Sequence, residues 1–399
     1  MINNEIKNCR ICKSSFLVEI LDLKYQPPAN SLQRKELKIK RYPLKLLCCK
    51  NCQTAQLSIS LSPKSLFNKY VWVTGTSSTA HKHSVYFYNK VSKYLKKKTN
   101  VLEIASNDGT FLKPFKKNNY QILGVDPAKN IAKKASLGGI KTIPNFFNYD
   151  FSKKLKRKKF SLIFARNVLP HVNNIQSVIK GISNLSDKGT FVAIEFHYAS
   201  DIIKDLQYDS IYHEHIFYFT VKSISNLFQK HDLKPFEVFN SPISGGSLIL
   251  LFSKSNRSKS KKLIKIEQNE KRNKINNIGN WRKFGKNSIT HSKKFVKKIM
   301  REIEKNKTIF GYGASARSST LLNFCNLNST KIKFIIDQNP MKNNLYTPGT
   351  NIPIYRFEKV KSKLGKMSMV LLAWNFKSEI VSFMRKKKFK NNIIIPFSK

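Results

Sequence analysis

No stretch of this 399-residue chain approaches the roughly 20 uncharged apolar residues that a membrane span requires. The amino terminus, MINNEIKNCRICK, lacks the apolar run of a secretory signal, so the expected location is the cytoplasm. No internal repeat and no extended low-complexity tail is present. Cysteine is scarce, at six residues, and the six are not scattered as a disulfide framework would be. Acid is the most conspicuous shortage: 23 Asp and Glu stand against 74 Lys and Arg, a formal net charge of +51.

Such a charge invites a nucleic-acid reading. The lysines, however, recur as short runs along the whole chain (KYLKKKTN, KKLKRKKF, RSKSKKLIK, HSKKFVKKIM, RKKKFKNN) beside abundant Asn, Ile and Phe. Those are the residues that AT-rich codons supply, and genome composition accounts for the charge without a ligand. A dedicated nucleic-acid surface would gather the charge in one element with aromatics interleaved for stacking. What survives is a mild attraction for an anionic substrate.

The length allows two or three domains, and the 41% hydrophobic content allows each its own core. Residues 1–65 read as a small Cys-rich unit, too polar to rely on an apolar core alone. Within it, Cys9-x-x-Cys12 and Cys49-x-x-Cys52 are two close pairs, each on a tight turn aiming two thiolates at one point. Together they complete a tetrahedral zinc site with four thiolates and no open position, which predicts a structural metal. Cys48 reads as a packed free thiol that could compete with Cys49.

Residues 66–255 carry a strand–helix alternation from Asn100 onward, in VLEIA, QILGVD, KFSLIFA and GTFVAIEF, with EVFN and GGSLILLFSK as an antiparallel terminal pair. Residues 256–305 read as a charged helical connector with weak periodicity. Residues 306–399 repeat the α/β grammar in KTIFGYGASARSSTLLNF, KIKFIIDQNP, MVLLAWN and NNIIIPF, a second, smaller Rossmann-like unit. The fold class expected is therefore α/β, with a zinc unit in front and two Rossmann-like units behind.

In the larger unit, Glu103-Ile104-Ala105-Ser106-Asn107-Asp108-Gly109 leads from the first strand into a helix, which brings backbone close to a ligand at the carboxyl end of a parallel sheet. About 20 residues later Asp126, followed by Pro127, ends the second strand, where an acid accepts hydrogen bonds from ribose hydroxyls. This pattern alone does not separate S-adenosylmethionine from a dinucleotide, although the loop has no G-x-G-x-x-G. Tyr212-His213-Glu214-His215 offers acid–base groups in four consecutive residues. If that segment is extended or irregular, His213 and His215 point one way and Tyr212 and Glu214 the other. Its spacing is not that of an H-E-x-x-H metal site.

In the order CRICKS, LKYQPPANSL, YPLKLLCCKNC, EIASNDGTFL, GVDPAKNIA, ARNVLPHV, YDSIYHEHIFYF, GGSL, GYGASARSSTLLNF, DQNPMKNNLYTPGTNIPI and AWNF, the chain resembles the sugar C-methyltransferases that act on nucleotide-linked deoxysugars. It departs from them at Ala105, where they commonly have Gly, and at Arg317, Ser318 and Ser319, where Lys-Gly-Asn is usual.

The resemblance implies a class I methyltransferase domain using S-adenosylmethionine, with Glu103, Ser106, Asn107, Asp108, Gly109, Asp126, Pro127, Asn167 and Tyr70 at the cofactor. It also implies that Tyr212, Glu214 and His215 lie in the active site and that the C-terminal unit helps hold the sugar nucleotide. Methylating a sugar carbon needs a carbanion equivalent: a base takes the proton beside a ketone, and the enolate attacks the methyl. In this reading His215 is the base, Tyr212 a hydrogen-bond donor or auxiliary base, and Glu214 an orienter or ligand of a substrate hydroxyl. His171, after the fourth strand, is within reach of the transfer site. Two rivals are a nucleic-acid methyltransferase, whose Pro-Pro-aromatic signature is absent from Asn167-Val168-Leu169-Pro170, and a non-catalytic zinc-dependent binding protein. Neither a nucleic acid nor a membrane is an expected partner. The oligomeric state is open, and a monomer is compatible with every feature.

Overall fold

Three sheets organise the chain, and the computed structural model describes residues 5–35, 38–62, 73–76, 78–96, 98–241, 245–305 and 307–397. The first sheet begins with a bulged antiparallel hairpin of β1 (Leu17–Gln26) and β2 (Tyr42–Cys49), followed by β3 (Ala55–Leu57). Its fourth strand comes from the middle of the chain.

The second sheet is built from β4 (Asn100–Ile104), β5 (Gln121–Val125), β6 (Thr142–Ile143), β7 (Leu162–Arg166) and β8 (Phe191–His197). Next in sequence, β9 (Phe217–Tyr218) leaves this sheet and pairs with β3, completing the first. The chain then returns with β10 (Lys234–Ser241) and β11 (Ser247–Ser253). The order is β10-β11-β8-β7-β4-β5-β6, and β11 runs antiparallel to both neighbours. This is the sheet of a class I methyltransferase, with the terminal antiparallel pair where the sequence placed it. Apolar runs make it: β8 reads FVAIEFH and is buried at every position, as a strand covered on both faces must be. The strand order reverses between β4 and β7, so ligands belong outside the carboxyl ends of those strands.

The third sheet is wholly parallel, β14-β13-β12-β15-β16, from β12 (Ile309–Tyr312), β13 (Ile335–Ile336), β14 (Ile354–Tyr355), β15 (Ser368–Leu371) and β16 (Ile393–Ile394).

The segment expected to be a charged helical connector is helical, in Lys261–Arg272 and the 27-residue Ile278–Glu304, but it does more than connect: the longer helix buries Trp281, Phe284, Gly285, Ser288, Ser292, Phe295 and Ile299 along one face. Those positions recur at helical spacing, while lysines occupy the rest of the surface. The stripe shares one core with Leu21, Leu44 and Leu46 of the first sheet and with Ile309 and Phe310 of the third. At Gly285 a Cβ would collide with the Ile20 carbonyl oxygen of β1, so only glycine lets helix and strand backbones touch. The helix is a shared beam, not a tether. No helix among the described residues is long and apolar enough to cross a membrane.

Candidate active site

The two cysteine pairs converge. Sγ atoms of Cys9, Cys12, Cys49 and Cys52 all lie within 4.8 Å of one another. Cys9 Sγ is 3.6 Å from Cys52 Sγ, and Cys12 Sγ is 3.5 Å from Cys49 Sγ. Zinc–thiolate bonds of about 2.3 Å in a tetrahedron require sulfur–sulfur edges of about 3.8 Å, so the cage fits zinc. Hydrogen bonds aimed at sulfur fit it too: Gln56 Nε2 and the Ile11 amide donate to Cys9 Sγ at 3.0 and 3.4 Å. The Cys52 thiol also donates to it, and these bonds hold Cys9 down to about 4. Cys48 resolves the other way. Burial pushes its thiol up to about 12, and it packs in the core beneath β2 as a neutral side chain.

At the carboxyl end of the second sheet, the loop after β4 is built from unusual backbone. Ala105, Asn107 and Gly109 all have positive φ, at 55°, 51° and 73°. Glycine adopts this conformation freely, asparagine tolerates it, and alanine is strained in it. The loop leaves two buried polar atoms without a partner among the described residues, Glu103 Oε2 and Ser106 Oγ. Asp126 receives the Asn107 amide at 2.8 Å and the Ala128 amide at 2.9 Å, one on each oxygen. A carboxylate has about four acceptor sites, so it retains capacity for two ribose hydroxyls. Burial raises Asp126 above the usual carboxylate range, partly offset by those amides, and burial raises Glu103 well above it. Uncommitted buried acceptors around a strained loop are a chemical fit for the ribose and ammonium groups of S-adenosylmethionine.

The side chains of Asn107 and Asp108 are otherwise engaged. They accept the Thr74 and Gly75 amides at 2.9 and 3.0 Å, pinning the connector turn against the loop. Pro127 is half-buried beside Asp126. Tyr70, assigned to the cofactor, lies outside the described residues.

Behind the loop is a network that sequence reasoning missed. Arg166, the last residue of β7, donates through Nε to Glu195 Oε2 at 2.8 Å and lies 4.0 Å from Glu103. Glu195 also receives His83 at 2.7 Å and the Ser241 hydroxyl. Burial alone would neutralise Glu195, but Arg166, His83 and Ser241 outweigh it and hold the carboxyl down to about 2. A signal was available: in so basic a chain, each acid is informative. Among the described residues seven acids are buried (Glu103, Asp108, Asp126, Glu195, Asp209, Glu214 and Glu270), and no Lys or Arg is.

From Arg166 the chain turns through Asn167, at φ 50°, into a single helical turn, Leu169–His171. His171 donates through Nδ1 to the Glu214 carbonyl at 2.6 Å, and its ring centroid lies 4.9 Å from that of His215. The alternation expected for residues 212–215 is overturned. A turn closed by the His215 amide on the Tyr212 carbonyl, at 2.8 Å, replaces the extended backbone. It brings Tyr212 and His215 together and sends His213 away, towards the Pro43 carbonyl at 3.3 Å under the first sheet. The Tyr212 hydroxyl and His215 Nε2 are 2.8 Å apart, and His215 Nδ1 lies 3.2 Å from the Ser210 carbonyl. A carbonyl only accepts, so Nδ1 carries the hydrogen, and Nε2 presents its lone pair to the tyrosine O–H. Burial, reinforced by His171 and His197, keeps His215 well below the ordinary imidazole range and therefore neutral at pH 7. Glu214 is buried, its carboxyl raised by that burial; Oε1 accepts from Asn30 Nδ2 at 3.1 Å, and Oε2 has no partner among the described residues.

Three protein families match this chain in succession. Residues 9–67 match a zinc binding domain family, residues 85–238 a methyltransferase domain family, and residues 242–397 a C-methyltransferase C-terminal domain family. The C-methyltransferase NovU of Streptomyces niveus is 26% identical over 396 residues, covering 97% of this chain and 94% of that protein. Among solved structures, the PH0226 protein of Pyrococcus horikoshii is 13% identical over 48% of this chain and 99% of its own, with a TM-score of 0.37. The magnesium protoporphyrin IX methyltransferase of Synechocystis is 11% identical over 49% of this chain and 99% of its own, with the same TM-score of 0.37.

Proposed function

The chain is an S-adenosylmethionine-dependent methyltransferase with a zinc-binding unit and a C-methyltransferase C-terminal domain, and we propose that it methylates the carbon beside a ketone on a nucleotide-linked deoxysugar. The observation that carries this reading is the Tyr212–His215 pair, a neutral imidazole whose free lone pair faces a hydroxyl at 2.8 Å. O- and N-methylation begin with a lone pair already present on the acceptor. Carbon methylation does not, and it calls for a base of this kind.

Tyr212 oxygen takes the α-proton as its own proton passes to His215 Nε2, so the imidazole is the final acceptor. Glu214 Oε2 would accept a substrate hydroxyl, a role supported by its lack of a partner among the described residues and by Asn30, which holds Oε1. When bound, S-adenosylmethionine would supply an electrophilic methyl on its sulfonium for the enolate carbon. Asp126 would hold the ribose, Glu103 and Ser106 the methionine end, and the loop at Asn107, Asp108 and Gly109 would give backbone contact, with Pro127 and Asn167 beside it. The imidazolium then loses its proton to solvent.

The test is incubation with methyl-labelled S-adenosylmethionine and a panel of nucleotide-linked keto-sugars, read by mass spectrometry. Label on a sugar carbon is the expected result. In deuterium oxide with an inert cofactor analogue, the enzyme should also wash deuterium into the α-carbon. Label appearing on oxygen or nitrogen, with no α-exchange, would sink the reading.

A further inference from the structure

Asp209 is an acid the proposed chemistry does not use, and it is 1% exposed. Both its oxygens face donors from the C-terminal unit: Arg317 Nη2 at 3.2 Å from Oδ1, and Trp374 Nε1 at 2.7 Å from Oδ2. Arg317 Nη2 also donates to Gln207 Oε1 at 2.7 Å, and its guanidinium lies over the Trp374 ring, 4.7 Å from the centroid. From the same helix as Arg317, Thr320 Oγ1 donates to the Ile211 carbonyl at 3.0 Å. Every one of these bonds lands on residues 207–211. None is made to His215, yet the Ser210 carbonyl that receives His215 Nδ1–H sits in the middle of that stretch.

We infer that Arg317 and Trp374 are positioning residues, which fix the tautomer of His215 by gripping Asp209. The inference rests on His215 being the proton acceptor. With the Ser210 carbonyl in place, the hydrogen stays on Nδ1 and the lone pair on Nε2 faces Tyr212. If residues 208–210 shift, either nitrogen can carry the hydrogen. In the Nε2–H form the ring donates to the Tyr212 oxygen, and no lone pair faces the tyrosine to take its proton. A histidine in the wrong tautomer is intact, correctly placed and inert. The C-terminal unit thus contributes to proton transfer without touching a reacting atom.

The tautomer is directly measurable. Protein labelled with nitrogen-15 histidine gives separate ring-nitrogen signals for the two forms, and the His215 signals are identified by their loss in His215→Asn. Trp374→Phe deletes one N–H donor and keeps an aromatic ring, while Arg317→Lys keeps the cation and loses the fork. The parent should show a single Nδ1–H form, and both variants a mixture. Turnover should fall about 10- to 100-fold, the range typical of residues that orient a functional histidine from outside. Affinity for S-adenosylmethionine and KM for the sugar should hold. A single Nδ1–H form in both variants overturns the inference, whatever turnover or melting temperature does, and so does a parent that already shows a mixture. The spectrum needs no substrate, so it stands apart from the sugar reading, which fails instead if no keto-sugar is methylated.

Discussion

The central and C-terminal sheets share one grammar and put it to different uses. Each places a short loop after its first strand and an acid after its second, Asp126 in the central sheet and Asp337 in the C-terminal one. Around Asp126 the loop leaves buried acceptors open. Around Asp337 the same space is filled from within. Its oxygens take the Ala314 and Asn339 amides, each at 2.9 Å, and Lys342 Nζ sits 3.1 Å from it and also donates to the Ala314 carbonyl at 2.7 Å. Gly313, at φ 98°, is packed so closely on Ala373 that a Cβ would collide with it. An ammonium already pairs with this acid. A glycine-bearing loop and an acid at the right spacing are thus necessary for a nucleotide pocket and not sufficient; the partner of the acid decides.

Four experiments would break or sharpen that contrast. The largest effect is expected from the metal. Structural zinc sites contribute on the order of 10 kcal/mol to folding, and β9, two residues after His215, is the fourth strand of the zinc-bearing sheet. Cys12→Ser should lose the metal and abolish turnover; elemental analysis with an activity assay checks it, and a metal-free enzyme of parental rate refutes it.

Second, His215→Asn should slow turnover at least about 100-fold with cofactor affinity retained. Because burial lowers the His215 pKa, the acid limb of the rate profile should lie below pH 6.5 and the rate should be flat above it. His171 and His213 are likewise held down to about 4 by burial. Unfolded chains bind those protons first, so stability is complete above about pH 6.5 and is lost as pH falls towards 4; melting curves across that range check the direction.

The third test sets the two acids side by side. Asp126→Ala should weaken S-adenosylmethionine by roughly 1–3 kcal/mol, whereas Asp337→Ala should leave its affinity unchanged. Calorimetry giving equal losses would erase the distinction between the loops. Smallest is Ala105→Gly, which removes the strain of a left-handed alanine and should stabilise the enzyme by about 1 kcal/mol. A lower melting temperature in that variant would show the strain to be absent.

Much of this was legible in sequence. Cysteine spacing gave the zinc cage, and apolar runs gave the central sheet, because both patterns are local. The strand β14 escaped notice since Ile354 and Tyr355 stand between Pro353 and Arg356 with no apolar run around them, whereas the equally short β13 and β16 lie within FII and III. The Tyr212–His215 pair was found as residues and misread as geometry: an alternation rule cannot anticipate a turn stabilised by packing under a distant sheet. Asn30 on Glu214 spans 184 residues and Arg317 on Asp209 spans 108. Contacts of that reach leave no local pattern, and only the scarcity of acids marks one end of each.

The seam between Gly285 and Ile20 has a bearing on how the molecule is made. The first sheet waits for β9, roughly 160 residues downstream, and for the long helix, which begins about 60 residues later still. At the ~5–20 residues per second of synthesis, the first of those delays alone is about 8–30 s. Through that interval the cysteine turns have been synthesised while the fourth strand of their sheet has not. A metal bound early would act as a placeholder, holding an unfinished sheet in register and shielding its open edge until the strand that closes it arrives.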